Sequence, residues 1–573
     1  MILSILAVIT GNKKEVSTII GVACLNQPLI CTEAYMIPAT ASAAAPTIIP
    51  DGESLTVDSI SSMARDPSRQ VELTPEIRAR VIASRQLLDE FVDSGRIIYG
   101  VTTSVGGFVN WLIPPAHAEE TQNNIMRSVQ SNCGRHLDDH YVRASMLARI
   151  NSLGRGYSAI SIENFEKYVA MYNRGVLPCI PEKGSLGTSG DLGPLACIGL
   201  VGTGQWRAKF DGEIMSGAEA LKKAGIEPMK LSYKEGLALI NGTSVMTAVA
   251  ACLVAESKSL IKAYTLATCL SLEVHKAKIM PFHPAAHRQK PHVGQGQIAD
   301  CIYRTLDDSE MIVQDAEVEQ WLRKLASDKP TDLDQQIEDV YSIRATPQIM
   351  GPVVDTTLFV QQTVETEINS SNDNPLIVVE DREAVHNANF HGQYISNAMD
   401  QLAIVLVNMC NLSDRRNNRL LHPQLNGNLP PFLVKENAGV RMGLMGGQFL
   451  ATSLTAEIRQ MCTPMSIQSL PSTGDFQDHV SFGLNAARRT RDILDNARHI
   501  LAFELICACQ AADIRGVEQL SSATSTLHGM VRKHVPYLDH DEPLTDHIEK
   551  IAAMFASGEF LQAVPQDVDS YNW

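Results

Sequence analysis

The residues best suited to chemistry in this chain lie in one glycine-rich stretch, Gly184-Ser-Leu-Gly-Thr-Ser-Gly-Asp-Leu-Gly-Pro-Leu195. Its glycines, with Asp191 and Pro194, stand where a chain turns sharply before a helix, and such a turn can hold a phosphate on free backbone amides. The stretch lacks the lysine that follows the glycines of a phosphate loop and the glycine spacing of a dinucleotide fingerprint. Nor is it the Gly-x-Ser-x-Gly elbow of a serine hydrolase. His283, His287 and His292 suggest a metal, since the first pair has i, i+4 spacing. Pro284 and Pro291 are expected to break the helix that would converge them, so no metal site is expected. Taken alone, Asn241-Gly242 and Asn372-Asp-Asn-Pro375 read as turns, and Arg344 as one half of a helix-surface ion pair.

Together with other segments, the loop resembles the family of histidine, phenylalanine and tyrosine ammonia-lyases and the related aminomutases, whose signature is Gly-Ser-x-Gly-(Ala/Thr)-Ser-Gly-Asp-Leu-x-Pro-Leu. The match extends through Tyr99-Gly-Val-Thr-Thr, Asn241-Gly-Thr, Tyr341-Ser-Ile-Arg344, Ser371-Asn-Asp-Asn-Pro375 and Phe390-His-Gly, over most of residues 55 to 530. The resemblance implies that Thr188, Ser189 and Gly190 cyclise autocatalytically and lose water to give a 4-methylidene-imidazol-5-one group (MIO), with no metal and no diffusible cofactor. The residue types suit that chemistry. Gly190, having no Cβ, can bring its nitrogen onto the Thr188 carbonyl, and Ser189 then loses its hydroxyl to leave a conjugated methylene. Most members begin the triplet with Ala; Thr188 leaves the backbone chemistry intact and is similar to the Thr-Ser-Gly type of bacterial phenylalanine aminomutase.

Such an electrophile answers a definite problem, because the β-hydrogen of an α-amino acid is barely acidic and ammonia is a poor leaving group. The resemblance places Tyr99 as the base, on a lid flanked by Gly100, Gly106 and Gly107. It makes Arg344 a bidentate clamp for the substrate carboxylate, sets Tyr341 near the electrophile, and uses Asn241 and Asn374 to position ring and carboxylate. Phe390 would pack on the prosthetic group, Phe476 and Gln477 would close the far wall, and Ile125, Val129, Met442 and Phe449 would form an apolar pocket. Relatives that prefer tyrosine or histidine carry a His on the helix after the lid; Asn124-Ile-Met-Arg-Ser-Val129 has none, which favours L-phenylalanine. A lyase releases cinnamate, whereas a mutase holds it until the amine returns at Cβ. Closeness to the Thr-type mutases points to interconversion of L-α-phenylalanine and β-phenylalanine, with an ammonia-lyase as the alternative. Intact Tyr99, Ser189 and Arg344 count against an inactive structural or binding homologue. Two departures from the pattern are Glu338, where many relatives have Gln, and His479, in a segment usually aliphatic.

Long helices must position these groups. Apolar residues recur at helical spacing over Val353–Ile368, Ser396–Leu421, Gly447–Met461 and Leu484–Ile514, the last stopped by Gly516. The expected fold is mainly α: a mixed, loop-rich region over 51–240 carries the lid and the prosthetic-group loop, a long-helix bundle of the ammonia-lyase/fumarase type spans 241–516, and a helical cap follows over 517–573. Residues 1–50 read as an atypical tail, disordered or upstream of the true start, and not as a secretory signal. A formal charge of −16 argues against nucleic acid or an anionic membrane as partner. Val245–Leu272, the best apolar run, is broken by Glu256, Lys258 and Lys262 and reads as a buried helix. The twelve cysteines lack paired metal spacings, as in a reduced, cytoplasmic protein. Small, apolar helix faces imply an oligomer, and the resemblance implies a homotetramer whose active sites are shared between chains.

Overall fold

A helix that is apolar on every side must be enclosed by other elements. Ser244–Val274 is such a helix, 31 residues long with buried side chains on all faces. Two of the charges that interrupt it are paired with neighbouring elements: Glu256 accepts Arg498 at 2.6 Å, and Lys258 donates to Asp58 at 3.1 Å. In this computed structural model, which describes residues 47–325, 329–330, 332 and 336–565, the helices Thr346–Ile368, Gln393–Leu421 and Gly483–Arg515 pack around it. The expected bundle is therefore present and the chain is mainly α. Thr346–Ile368 begins earlier than the pattern suggests, because Pro347 stands in its first turn, where a missing N–H costs little, and Pro352 lies within it. Gly516, at φ +118°, ends the Gly483 helix in a conformation open mainly to glycine.

Three of these helices are tied together at the centre of the bundle. Arg416 Nε donates to Glu504 Oε1 at 2.6 Å, Tyr264 Oη donates to Glu504 Oε2 at 2.6 Å, and Arg416 also reaches the Tyr264 hydroxyl. All three side chains are buried. Burial would raise the Glu504 carboxyl, but the adjacent guanidinium holds it below its ordinary value.

The region before the bundle is layered on it. Asp139–Gly154 lies along the Ser244 helix, and short antiparallel pairings hold the loops: Cys133–His136 with Pro181–Lys183, and Leu177–Pro178 with Arg207–Phe210 and Glu213–Ser216. Ser522–Arg532 and Thr545–Ser557 close over the Gly483 helix. Ile48 bridges to Val71 in parallel, while the rest of the expected tail, residues 1–46, lies outside the described residues. Pro284 opens the short helix Pro284–Arg288 instead of breaking one, and His287 is engaged by the Pro281 carbonyl and Gln295. The described cysteines are free thiols.

Removing one partner of a buried ion pair leaves the other charge uncompensated, so Arg416→Met is expected to cost about 3–5 kcal/mol. Urea denaturation of the two proteins measures it.

Candidate active site

The Thr188–Gly190 turn is held between the starts of two long helices. On the upstream side the Phe482 amide donates to the Leu186 carbonyl at 2.9 Å, and Ser481 Oγ donates to the Gly187 carbonyl at 2.7 Å. On the downstream side the Asp191 amide donates to the Gly242 carbonyl at 2.8 Å, and the Asp191 carboxylate accepts the Met246 amide at 2.7 Å in the first turn of the Ser244 helix. Ser185 Oγ donates to the other carboxylate oxygen at 3.0 Å, which ties both ends of the loop to one side chain. Between these holds Ser189 and Gly190 adopt φ +56° and +64°. A Cβ on Gly190 would stand 1.8 Å from the Gly242 carbonyl oxygen, so only glycine fits. Burial pushes the Asp191 carboxyl up to about 7, against the hydrogen bonds from Met246 and Ser185 that favour its charged form.

Ser189 faces a cavity of about 1050 Å³. Around its mouth and walls stand Tyr99, Ile125, Val129, Asn241, Asn374, Phe390, Phe476 and Gln477, together with Thr188 and Gly190. Gln477 Nε2 donates to Ser189 Oγ at 3.1 Å. The lid doubles back on itself, with the Ser104 amide donating to the Trp111 carbonyl at 2.8 Å and the Ile113 amide to the Thr102 carbonyl at 2.9 Å. Tyr99 Oη accepts the Gly106 amide at 3.0 Å, and its ring lies parallel to that of Phe476, with centroids 6.4 Å apart. Burial raises the Tyr99 phenol; the Gly106 amide opposes it by stabilising phenolate.

Asn241 Nδ2 donates to Asp373 Oδ1 at 2.9 Å and to the Asn374 carbonyl at 3.2 Å, and Asn374 Oδ1 accepts the Asn387 amide at 2.8 Å. Behind them Lys234 donates to Asp373 at 2.6 Å, both side chains fully buried. The Asn241 amide is thus fixed from behind by a charged pair, and the Asn374 amide by the backbone of Asn387.

Four expected site residues do not reach this cavity within the chain. Tyr341 is 72% exposed, and Arg344 pairs with Glu338 and lies over the Tyr341 ring. Both border a different groove, lined also by Lys278 and Asp339. Phe449, 67% exposed on the helix Met445–Met461, and half-exposed Met442, whose amide donates to Asp541, stand elsewhere on the surface. The reason is positional: these residues sit on outward-facing parts of the bundle, while the cavity lies under the lid.

The two departures also find places. Glu338 is the partner of Arg344. His479 offers its backbone carbonyl to Thr188 Oγ1 at 3.3 Å, so the hydroxyl that distinguishes Thr from Ala has an acceptor. Sequence reasoning missed His386, which lines the cavity and accepts the Tyr99 amide on Nε2 at 3.1 Å; no motif marks it. It also passed over Leu237 on the apolar wall and the part played by Asp191, although Asp191 stands within the quoted loop.

A family model described as aromatic amino acid lyase matches residues 55–533. The structure resembles a phenylalanine aminomutase of Pantoea agglomerans, with TM-score 0.87 and 53% identity over 89% of this chain and 98% of that one. A tyrosine aminomutase from Streptomyces globisporus gives TM-score 0.87 and 36% identity over 91% and 98% of the two chains. A tyrosine ammonia-lyase of Cupriavidus metallidurans is 41% identical over 520 residues, 90% of this chain and 97% of that protein. The chain belongs to the aromatic amino acid lyase family, whose members include both lyases and aminomutases.

The raised Asp191 carboxyl has a measurable consequence. The folded chain holds this proton up to about 7 while the unfolded chain releases it near 3.8, so stability attributable to Asp191 is full at low pH and is lost as pH rises across that window. Relative to Asp191→Asn, the wild type is expected to lose stability over this range and to change no further above it, as read by denaturant unfolding at stepped pH.

Proposed function

We propose that this chain is a phenylalanine aminomutase that interconverts L-α-phenylalanine and β-phenylalanine through cinnamate, using MIO formed from Thr188, Ser189 and Gly190. The observation that carries the proposal is the Thr188–Gly190 turn itself: a positive-φ Ser–Gly pair pressed against Gly242, open to a cavity with Tyr99 on one side and an apolar wall on the other. The residues fit the group, since the contact that excludes any Cβ at Gly190 also holds the turn tight, and Ser189 Oγ is approached by Gln477. When formed, the group supplies an electrophilic methylene for the substrate amine.

The chain's own groups do the rest. Tyr99 removes the proton from Cβ, and the Gly106 amide stabilises the phenolate this requires. Asn241 and Asn374 present orientations fixed by Asp373 and Asn387. Ile125, Val129 and Leu237 line the phenyl side with hydrocarbon and offer no partner for a ring hydroxyl, which favours phenylalanine over tyrosine. The 53% identity to a phenylalanine aminomutase supports the mutase reading over the lyase reading. The proposal includes a homotetramer in the cytoplasm, in which Tyr341, Arg344, Met442 and Phe449 complete a neighbouring copy's site. Their exposure and distance from the chain's own cavity support shared sites, and the free thiols support the compartment.

A time course with L-phenylalanine is expected to yield mainly β-phenylalanine by chiral chromatography, with little cinnamate by absorbance; mainly cinnamate would identify an ammonia-lyase. Ser189→Ala is expected to lose the ultraviolet band of the group together with activity. Tyr99→Phe keeps the band, and its kcat falls by about 10²–10⁴-fold. If sites are shared, mixing and reassembling inactive Tyr99→Phe and Arg344→Ala chains restores part of the activity, whereas sites confined to single chains leave the mixture inactive.

A further inference from the structure

The upstream hold on the electrophile loop is a charged lock that lies outside the cavity. Glu182, in the strand Pro181–Lys183, is nearly fully buried and accepts Arg491 Nη1 at 2.9 Å, Arg488 Nη2 at 3.2 Å and Arg135 Nε at 3.1 Å. Arg488 and Arg491 stand early on the Gly483 helix, the same helix whose start takes the Leu186 and Gly187 carbonyls. The loop is therefore pinned to one helix at both Glu182 and Gly187. At Gly187 the loop lies so close to the helix start that a Cβ there would stand 2.3 Å from Ser481 Oγ and 2.8 Å from the Gly483 nitrogen. Glu182 itself does not line the cavity, whereas Gly184, Ser185 and Leu186 do.

We infer that Glu182 is a positioning residue for maturation of the Thr188–Gly190 turn: its ion pairs with Arg488 and Arg491 fix the upstream half of the loop so that the Thr188 carbonyl stays within reach of the Gly190 nitrogen. The inference rests on the proposed reading of the turn as the precursor of the prosthetic group. In that maturation the Gly190 nitrogen bonds to the Thr188 carbonyl carbon, and the carbonyl oxygen leaves as water with the protons of the Gly190 and Ser189 nitrogens. Ser189 then loses its Cα hydrogen and its hydroxyl as a second water. Two waters leave and nothing is oxidised or reduced. Arg488, Arg491 and Arg135 give Glu182 one hydrogen bond each, and together they engage both carboxylate oxygens and so hold its plane, which a single ammonium does not.

The test follows the mass of the peptide carrying the loop in full-length chain after a pulse of synthesis, alongside circular dichroism and thermal unfolding. Wild type is expected to become lighter by two waters. Folded Glu182→Gln is expected to mature about 10²-fold more slowly, the factor associated with misplacement by about 1 Å, and Glu182→Asp to fall between the two. Should Glu182→Gln fail to fold, Arg488→Lys, which keeps the charge but not the planar guanidinium donor, is expected to show the same slowing. A folded Glu182→Gln or Arg488→Lys chain that matures at the wild-type rate overturns the inference while leaving the proposed function standing. A wild-type chain that never loses the two waters overturns both.

Discussion

The site depends on one close approach, that of the Gly190 backbone to the Gly242 carbonyl. Two chain segments far apart in sequence meet there with no room for a side chain, and the Asp191 amide and carboxylate sew the contact to the start of the Ser244 helix. A backbone turn in the left-handed region costs roughly 1–3 kcal/mol per non-glycine residue and persists only when its surroundings over-determine it. Here they do. Helix starts are well suited to the purpose, since their first amides lack intrahelical partners and can spend their hydrogen bonds on a neighbouring loop. The long helices thus matter to function less for their length than for where they begin.

Rigidity at the turn is matched by polar groups buried at considerable desolvation cost. Lys234 and Asp373 lie fully buried behind Asn241, and Arg149 donates to Asn372 at 3.3 Å in the same layer. Such groups are tolerated only when paired and hydrogen-bonded. Their effect is to leave Asn241 little rotational freedom, and the Asn387 amide does the same for Asn374, so the amides facing the cavity are already oriented. The Arg416–Glu504–Tyr264 cluster is a second such group, paired and hydrogen-bonded where three long helices meet.

How much of this was legible in the sequence depended on range. The helices showed clearly because their periodicity is local, and the earlier start at Thr346 was obscured only by prolines that the first turn tolerates. The loop was legible because its glycines recur at every third position from Gly184 to Gly193, and Gly184, Gly187 and Gly190 each take a positive φ in the turns that precede the helix. Tyr99, Ile125, Val129, Asn241, Asn374, Phe390, Phe476 and Gln477, named through the resemblance, come together around Ser189 although they are scattered over most of the chain. Tyr341, Arg344, Met442 and Phe449 were named on the same grounds and lie elsewhere, because a motif specifies which side chains a reaction needs and not which surface one chain's backbone gives them. Contacts between distant residues left no local trace: neither the amide of Tyr99 on His386 nor the carboxylate of Glu182 among Arg135, Arg488 and Arg491 follows from any spacing.

The lid carries a consequence for the proposed reaction. Tyr99 is anchored at both of its ends, its hydroxyl on Gly106 of the same lid and its ring beside Phe476 of the opposite wall. Base and cover are therefore one structural unit, and the lid cannot lift far without withdrawing the phenol from the cavity. A reaction that must keep cinnamate in place gains from this arrangement, because the state in which the phenol is poised is also the state in which the exit is covered. For a lyase the same coupling would make product release wait on removal of its own base. On the proposed reading, the contacts of the lid with Thr473 and Phe476 are therefore the ones that bear on the partition between the two outcomes.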